Sequence, residues 1–165
     1  MSTKKEQSIQ DTIGSFQTMA DLVLLQLNLI EKVMLSSDET EQLSLISEIS
    51  RNESEIDRLE LVISDKFINS IVLYQPLASD LRKLISVYRM TVNLERIGDL
   101  VMNMTYAFET LSRTDEYRIM SSVILKMFQS GKTMVEKSLL SFVNNDQKSA
   151  IWTIRNDAMV DEMNN

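Results

Sequence analysis

The stretch VYRMTVNLERIGDLVMNMTYAFETL, residues 87–111, decides the fold class. One stripe along it is wholly apolar, at alternating spacings of three and four: Val87, Met90, Leu94, Ile97, Val101, Met104, Phe108 and Leu111. At about 100° per residue this spacing predicts an α-helix, which we place over about Pro76 to Leu111 because Pro is tolerated in a first helical turn. A second apolar stripe lies about 160° away: Leu77, Leu81, Tyr88, Val92, Met102 and Tyr106. This second face either packs inside a bundle or meets another subunit.

The same periodicity extends in both directions from this stretch. Helix one should end near residues 36–37, and Asp38 should cap helix two with Glu41 as its capping-box partner. Helix two should run to about Val72, and Thr114 and Asp146 should cap helices four and five. The predicted core residues are Ile13, Phe16, Met19, Val23, Leu27, Ile30 and Met34 in helix one; Leu45, Ile49, Ile56, Leu59, Ile63 and Phe67 in helix two; and Val123, Met127, Met134 and Leu140 in helix four.

Composition agrees with an all-α protein and excludes several functions. Three Gly and one Pro in 165 residues are too few for the turns of an all-β fold. The chain has neither Cys nor His, which removes thiolate and imidazole metal sites and the usual catalytic bases. Any metal must therefore be held by oxygen, and we expect no enzyme. The net charge of -7 disfavours nucleic acid as a partner.

Nothing in the sequence predicts export or a membrane span. Lys4 and Lys5 are followed by polar residues, where a signal peptide would have an apolar run. The most hydrophobic stretch, residues 19–34, is interrupted by polar and charged residues, and we interpret it as a core helix. The interrupting residues are Asp21, Gln26, Asn28, Glu31 and Lys32. We therefore expect a free-standing cytoplasmic protein.

An internal repeat sets the expected domain organisation. Residues 51–59 (RNESEIDRL) and residues 155–163 (RNDAMVDEM) share the pattern Arg-Asn-acid-x-x-β-branched-Asp-x-apolar. Upstream, Ile30-Glu31-Lys32 corresponds to Val135-Glu136-Lys137. This repeat predicts tandem antiparallel three-helix bundles, the first over residues 1–112 and an incomplete second, of two helices, over residues 113–165. We expect a truncated product; the alternative is a partner chain that covers the second bundle.

Acidic residues four apart form the candidate site. One turn apart on one helical face, two carboxylates can hold one hard cation or bridge two. The alternative for any single pair is a solvated acidic face, since the chain has 24 acids. Gly98 lies between Glu95 and Asp99, and a Gly inside a helix lowers the stability of that helix. This loss of stability is tolerable if another group approaches the backbone closely; close helix packing is the other explanation. The three pairs are Glu53 with Asp57, Glu95 with Asp99, and Asp157 with Asp161.

Two segments carry a family resemblance. Residues 74–82 (YQPLASDLR) and residues 93–99 (NLERIGD) resemble the Gln-Pro-x-Ala-x-Asp-Leu-Arg and Leu-Glu-Arg-Ile-Gly-Asp motifs of the PhoU family of phosphate-uptake regulators. The resemblance implies two three-helix bundles, usually dimeric, whose surface motifs bind iron, zinc or other metal ions. Carried over by position, the metal residues are Glu53, Asp57, Glu95, Asp99, Asp157 and Asp161. The family's fourth motif would lie in a sixth helix, which this chain lacks.

The resemblance also implies a role. It predicts a cytoplasmic homodimer that represses phosphate uptake and phosphate-starvation transcription as an adaptor between the phosphate ABC transporter and its sensor histidine kinase. Such a protein reaches the membrane only through protein partners. Magnesium, manganese and calcium stay alternatives to iron and zinc, because carboxylates accept all of these ions. The competing hypotheses are a structural helical adaptor without metal and a carboxylate-bridged di-metal enzyme.

Overall fold

Five helices make up the chain in the computed structural model, which describes residues 3–144 and 146–163, with side chains as far as Asn156. No strand occurs among these residues, so the all-α prediction is confirmed. The helices are α1 (Lys4–Leu35), α2 (Glu39–Tyr74), α3 (Ala78–Leu111), α4 (Asp115–Asn144) and α5 (Gln147–Met163).

Helices α1 and α2 lie antiparallel in a first compact unit that ends at Thr105. The Ser8 and Ser70 hydroxyls are 2.8 Å apart, and at the other end of the pair Gln26 donates to the backbone carbonyl of Ile49 at 3.2 Å. The three-residue connection after Leu35 has the length that is typical of antiparallel helix pairs.

Helix α3 completes this bundle through its own side-chain contacts. Its Tyr88 ring stacks on Phe67 of α2 with the ring centroids 4.6 Å apart. Its first turn is tied to α1 by an ion pair of 2.7 Å between Lys5 and Asp80. Helices α1 and α3 therefore run parallel to each other and antiparallel to α2.

The predicted apolar stripes of the first unit form its core. All predicted core residues of α1 and α2 are buried except Met34, Leu45 and Phe67, which are half-buried. Of the predicted stripe in α3, four residues are buried, three are half-buried and Leu111 is exposed; the buried ones are Val87, Leu94, Val101 and Phe108. Each fully buried side chain of this size stabilises the fold by about 1.5–3 kcal/mol relative to exposure. The second stripe of α3 is only partly covered, since Leu77 and Val92 are exposed.

Most predicted helix caps are present. Asp38 accepts a hydrogen bond from the amide of Thr40, and Thr114 accepts one from the amide of Tyr117. Asp146 accepts from the Ser149 hydroxyl and from the amide of Lys148, and these two bonds lower the Asp146 pKa. The capping-box prediction at α2 is wrong, because the Glu41 carboxylate accepts from the Ser36 hydroxyl instead.

The predicted start of α3 is also wrong. Helix α2 continues to Tyr74, and α3 begins at Ala78 instead of Pro76. The reason lies in the backbone: Gln75 has φ 44° and Ala78 has φ 49°, so the chain takes a left-handed conformation on both sides of Pro76. Pro76 is buried in the connection between the helices.

Helices α4 and α5 belong to a second compact unit, which begins at Tyr106 within α3. The ammonium of Lys137 in α4 lies 4.9 Å from the centroid of the Trp152 ring in α5, a cation–π contact. Assignment of the two units to repeats 1–112 and 113–165 stays a prediction.

The predicted core of α4 is wrong in two positions. Val123 and Leu140 are exposed at 46% and 51%, and Leu139 is the buried side chain among the described residues of this helix. One partner helix, α5, covers only one side of α4, so most of its apolar side chains stay half-buried.

By length and apolar content alone, α1 could cross a membrane. Half of its most apolar window is buried inside the bundle, as the prediction of a core helix requires.

Candidate functional site

The Glu53 carboxylate is buried where α2 meets α3. Its side chain belongs to the core with 9% of the residue exposed, although ionised carboxylates are rarely buried without a partner. The amide nitrogen Nε2 of Gln26 in α1 donates to its Oε2 at 2.8 Å. Its other oxygen, Oε1, is buried without a hydrogen-bond partner among the described residues.

Gly98 of α3 provides the space that this carboxylate occupies. A Cβ built on Gly98 would lie 2.8 Å from Oε2 of Glu53, closer than real Cβ atoms come, and 3.2 Å from its Oε1, which is tighter than most real Cβ contacts. The glycine inside α3 is therefore explained by a close approach, and the approaching group is a carboxylate of the neighbouring helix.

Two predicted acid pairs come together at this contact. We call Glu53, Asp57, Glu95 and Asp99 the acidic patch. Asp57 and Asp99 are exposed, Glu95 is half-buried, and Glu53 lies beneath them. Helix α2 supplies one pair and α3 the other, so the patch spans the α2–α3 contact.

The four carboxylates act on one another electrostatically. Burial raises the pKa of Glu53 most, the hydrogen bond from Gln26 lowers it, and the charges of Asp57, Asp99 and Glu95 raise it again. Burial likewise raises the pKa of Glu95, followed by the charges of Asp99, Glu60 and Asp57, while Arg96 lowers it. Negative charge thus accumulates at the α2–α3 contact, where Arg96 opposes it only in part.

Glu60 was missed as a neighbour of this patch by the sequence analysis. It follows Asp57 by three residues and Glu53 by seven, so all three lie on one face of α2. Its carboxylate accepts a hydrogen bond from the Ser64 hydroxyl at 3.1 Å. A search for acids two turns apart would have found it.

The patch suits a cation in charge and donor type. Carboxylate oxygens are the ligands that hard cations prefer, and Glu53 Oε1 is a buried oxygen that lacks any donor among the described residues. In the part of the chain that the structure describes, however, no three acidic side chains approach closely enough to share one ion. Binding would require the exposed carboxylates of Asp57 and Asp99 to turn toward Glu53.

The third predicted pair stays a prediction. Asp157 and Asp161 lie outside the residues whose side chains the structure describes. Asp80, in the first resembling segment, pairs with Lys5 and so has a structural role in joining α1 to α3.

Comparison with known proteins gives this site a family context. The PhoU domain matches residues 16–107, which contain the whole acidic patch. A phosphate-specific transport system accessory protein PhoU homolog of Aquifex aeolicus is 32% identical over 123 residues, covering 74% of this chain and 55% of that protein. PhoU homolog 1 of Thermotoga maritima is 30% identical over 129 residues, covering 78% and 56%. A Burkholderia homolog is 30% identical over 118 residues, covering 69% and 49%.

The chain spans about half the length of these curated relatives. The match to the family's domain extends over more than half of the chain itself, from within α1 to near the end of α3. It includes both segments in which the sequence resembles the family's motifs. The protein therefore belongs to the PhoU domain family.

Proposed function

We propose that this protein is a metal-binding accessory regulator of phosphate transport. In this role it represses phosphate uptake and phosphate-starvation signalling from the cytoplasm, as a homodimeric adaptor between the phosphate ABC transporter and its sensor histidine kinase. Family membership supports the regulatory part, together with relatives named as accessory proteins of the phosphate-specific transport system. The proposal includes no catalytic step.

One observation carries the metal part: Glu53 Oε1 is buried beside three more carboxylates and has no hydrogen-bond donor among the residues that the structure describes. A buried, unpaired carboxylate oxygen is costly, and like charges at short range add to that cost. A bound cation removes both penalties, so metal binding and folding should be coupled. Glu53, Asp57, Glu95 and Asp99 would hold the ion through oxygen; Asp157 and Asp161 belong to the proposal through the sequence repeat alone.

Calorimetric titration of chelator-treated protein tests the metal part. Manganese, zinc and ferrous iron are each titrated into the wild type and into the double variant Glu95→Gln with Asp99→Asn. The proposal expects binding to the wild type and at least a tenfold loss in the variant. The matched control, Asp65→Asn with Glu109→Gln, removes two charges from exposed positions of α2 and α3 and should bind as the wild type does.

The regulatory part needs a test in the host cell. Deleting the gene should raise expression of phosphate-starvation genes in phosphate-rich medium, and the wild-type gene should restore repression. Failure of deletion to change that expression contradicts the proposed role. If the double variant represses fully although it has lost its metal, the protein is an adaptor whose function needs no metal.

A further inference from the structure

We infer that Gln26 of α1 is a positioning residue that orients the Glu53 carboxylate for metal binding. The inference rests on the proposed metal-binding function and extends it to a helix that carries no acidic motif. Gln26 itself touches no metal in this proposal. It acts through the hydrogen bond from its amide to Glu53.

The Gln26 amide holds one of the two oxygens of the Glu53 carboxylate. Its Nε2 donates to Glu53 Oε2 at 2.8 Å and to the Ile49 carbonyl, one turn earlier in α2, at 3.2 Å. Oε2 is thereby occupied, and Oε1 is left with no donor among the described residues. The two oxygens of one carboxylate thus have different tasks: Oε2 anchors the group, and Oε1 is free to bind an ion.

Gly98 of α3 forms a second close contact with this carboxylate. Both oxygens lie within 3.2 Å of where a Cβ on Gly98 would be, so the carboxylate packs directly against the α3 backbone. Held between an amide of α1 and a glycine of α3, the Glu53 side chain has little rotational freedom. Preorganisation of this kind reduces the entropy lost when a ligand binds.

A purely structural role explains Gln26 poorly. The side chain is fully buried, on the apolar stripe between Val23 and Ile30, where an aliphatic residue would fill the same space. Its own Oε1 lacks a partner among the described residues, and a buried polar atom without a partner destabilises the folded protein. A neutral amide can hold a carboxylate without adding a positive charge, which a Lys or Arg would bring into competition with the metal.

Gln26→Met tests the inference because Met keeps the length and the apolar volume while it removes both hydrogen bonds. We expect manganese affinity of the variant, measured by calorimetric titration, to fall about 10- to 100-fold, as for other partners of metal ligands. The control is Thr12→Val, at an equally buried position of α1 whose hydroxyl bonds to the Ser8 carbonyl of its own helix. This control should keep wild-type affinity even if its melting temperature falls.

A double-mutant cycle separates positioning from general loss of structure. In a Glu53→Asp background, which keeps a carboxylate but is one methylene too short to reach the Gln26 amide, Gln26→Met should change manganese affinity less than twofold. Equal losses in both backgrounds, or wild-type affinity of Gln26→Met alone, would overturn the inference and leave the proposed metal function standing. Absence of binding to the wild type would overturn both. If Gln26→Met fails to fold, Gln26→Asn, which keeps the amide but is one methylene too short, should show the same loss.

Discussion

Replacing Gly98 by Ala is expected to destabilise the first unit, although the change is favourable inside most helices. In an open helix interior Gly→Ala gains about 0.5–1 kcal/mol. At Gly98 the new methyl group would stand 2.8 Å from Glu53 Oε2, and ordinary van der Waals contact begins at 3.4 Å. The carboxylate must therefore retreat by about 0.6 Å.

The cost of that retreat outweighs the gain in helix propensity. Overpacking of a core costs about 1–3 kcal/mol. A hydrogen bond to a charged group, here from Gln26 at 2.8 Å, contributes about 1.5–3 kcal/mol, and part of it is lost when Oε2 moves. We expect Gly98→Ala to lower the free energy of unfolding by about 1–2 kcal/mol, with a lower metal affinity.

Two controls distinguish this explanation from a general effect on the helix. Gly14 of α1 has no atom within 4 Å of its built Cβ, so Gly14→Ala should raise stability by about 0.5–1 kcal/mol. In a Glu53→Ala background, Gly98→Ala should also become stabilising, because the clashing carboxylate has been removed.

Urea denaturation followed by far-ultraviolet circular dichroism measures these differences. Fluorescence of Trp152, the one tryptophan of the chain, reports on the second unit. If Gly98→Ala stabilises the protein as Gly14→Ala does, the contact between Glu53 and Gly98 does not exist in solution and the site has been described wrongly.

Three further predictions concern charge and capping. Glu53→Gln should stabilise chelator-treated protein at neutral pH, because burial raises the Glu53 pKa above its ordinary value of 4.5. The neutral carboxyl group of Glu53 contributes stability that is fully present below pH 4.5 and is lost as the pH rises through the raised pKa. The difference from wild type in urea denaturation should close below pH 4.5; a difference independent of pH would refute it. Lys5→Ala should lower the free energy of unfolding by less than about 1 kcal/mol, since the ion pair with Asp80 is well exposed to water, and should leave manganese affinity unchanged in calorimetric titration. Thr114→Ala should cost about 1 kcal/mol in the transition reported by Trp152 fluorescence; no shift would mean that the cap is not formed.

The fold of the first unit could largely be predicted from the sequence, because one spacing rule decides it. Apolar residues three and four apart, such as Phe16, Val23 and Ile30, have to face the core in any helical arrangement, and they do. The turn at Pro76 could not be predicted from the sequence. Its left-handed backbone conformation falls on Gln75 and Ala78, and these residue types rarely adopt it.

Which side chains of α4 are buried could not be predicted from the sequence for a different reason. A periodic stripe shows which face of a helix is apolar, but the number of neighbouring helices decides how much of that face is covered. With α5 packed on one side, Val123 and Leu140 stay exposed despite their place in the pattern.

Only half of the candidate site could be predicted. Spacing within one helix gives the pairs, Glu53 with Asp57 and Glu95 with Asp99, since one turn separates their members. That α2 and α3 bring the two pairs together depends on tertiary packing, which no local pattern contains. Gln26 was interpreted only as an interruption of an apolar stretch; its place on the core stripe was the sign that it serves a buried polar group.

Anomalous X-ray scattering from crystals grown with manganese tests the central claim most directly. The account predicts a peak at the α2–α3 contact, about 2–2.6 Å from Glu53 Oε1, that is absent from crystals of Glu53→Gln. Manganese found only elsewhere on the surface, with Glu53 Oε1 hydrogen-bonded to protein or water, would contradict it.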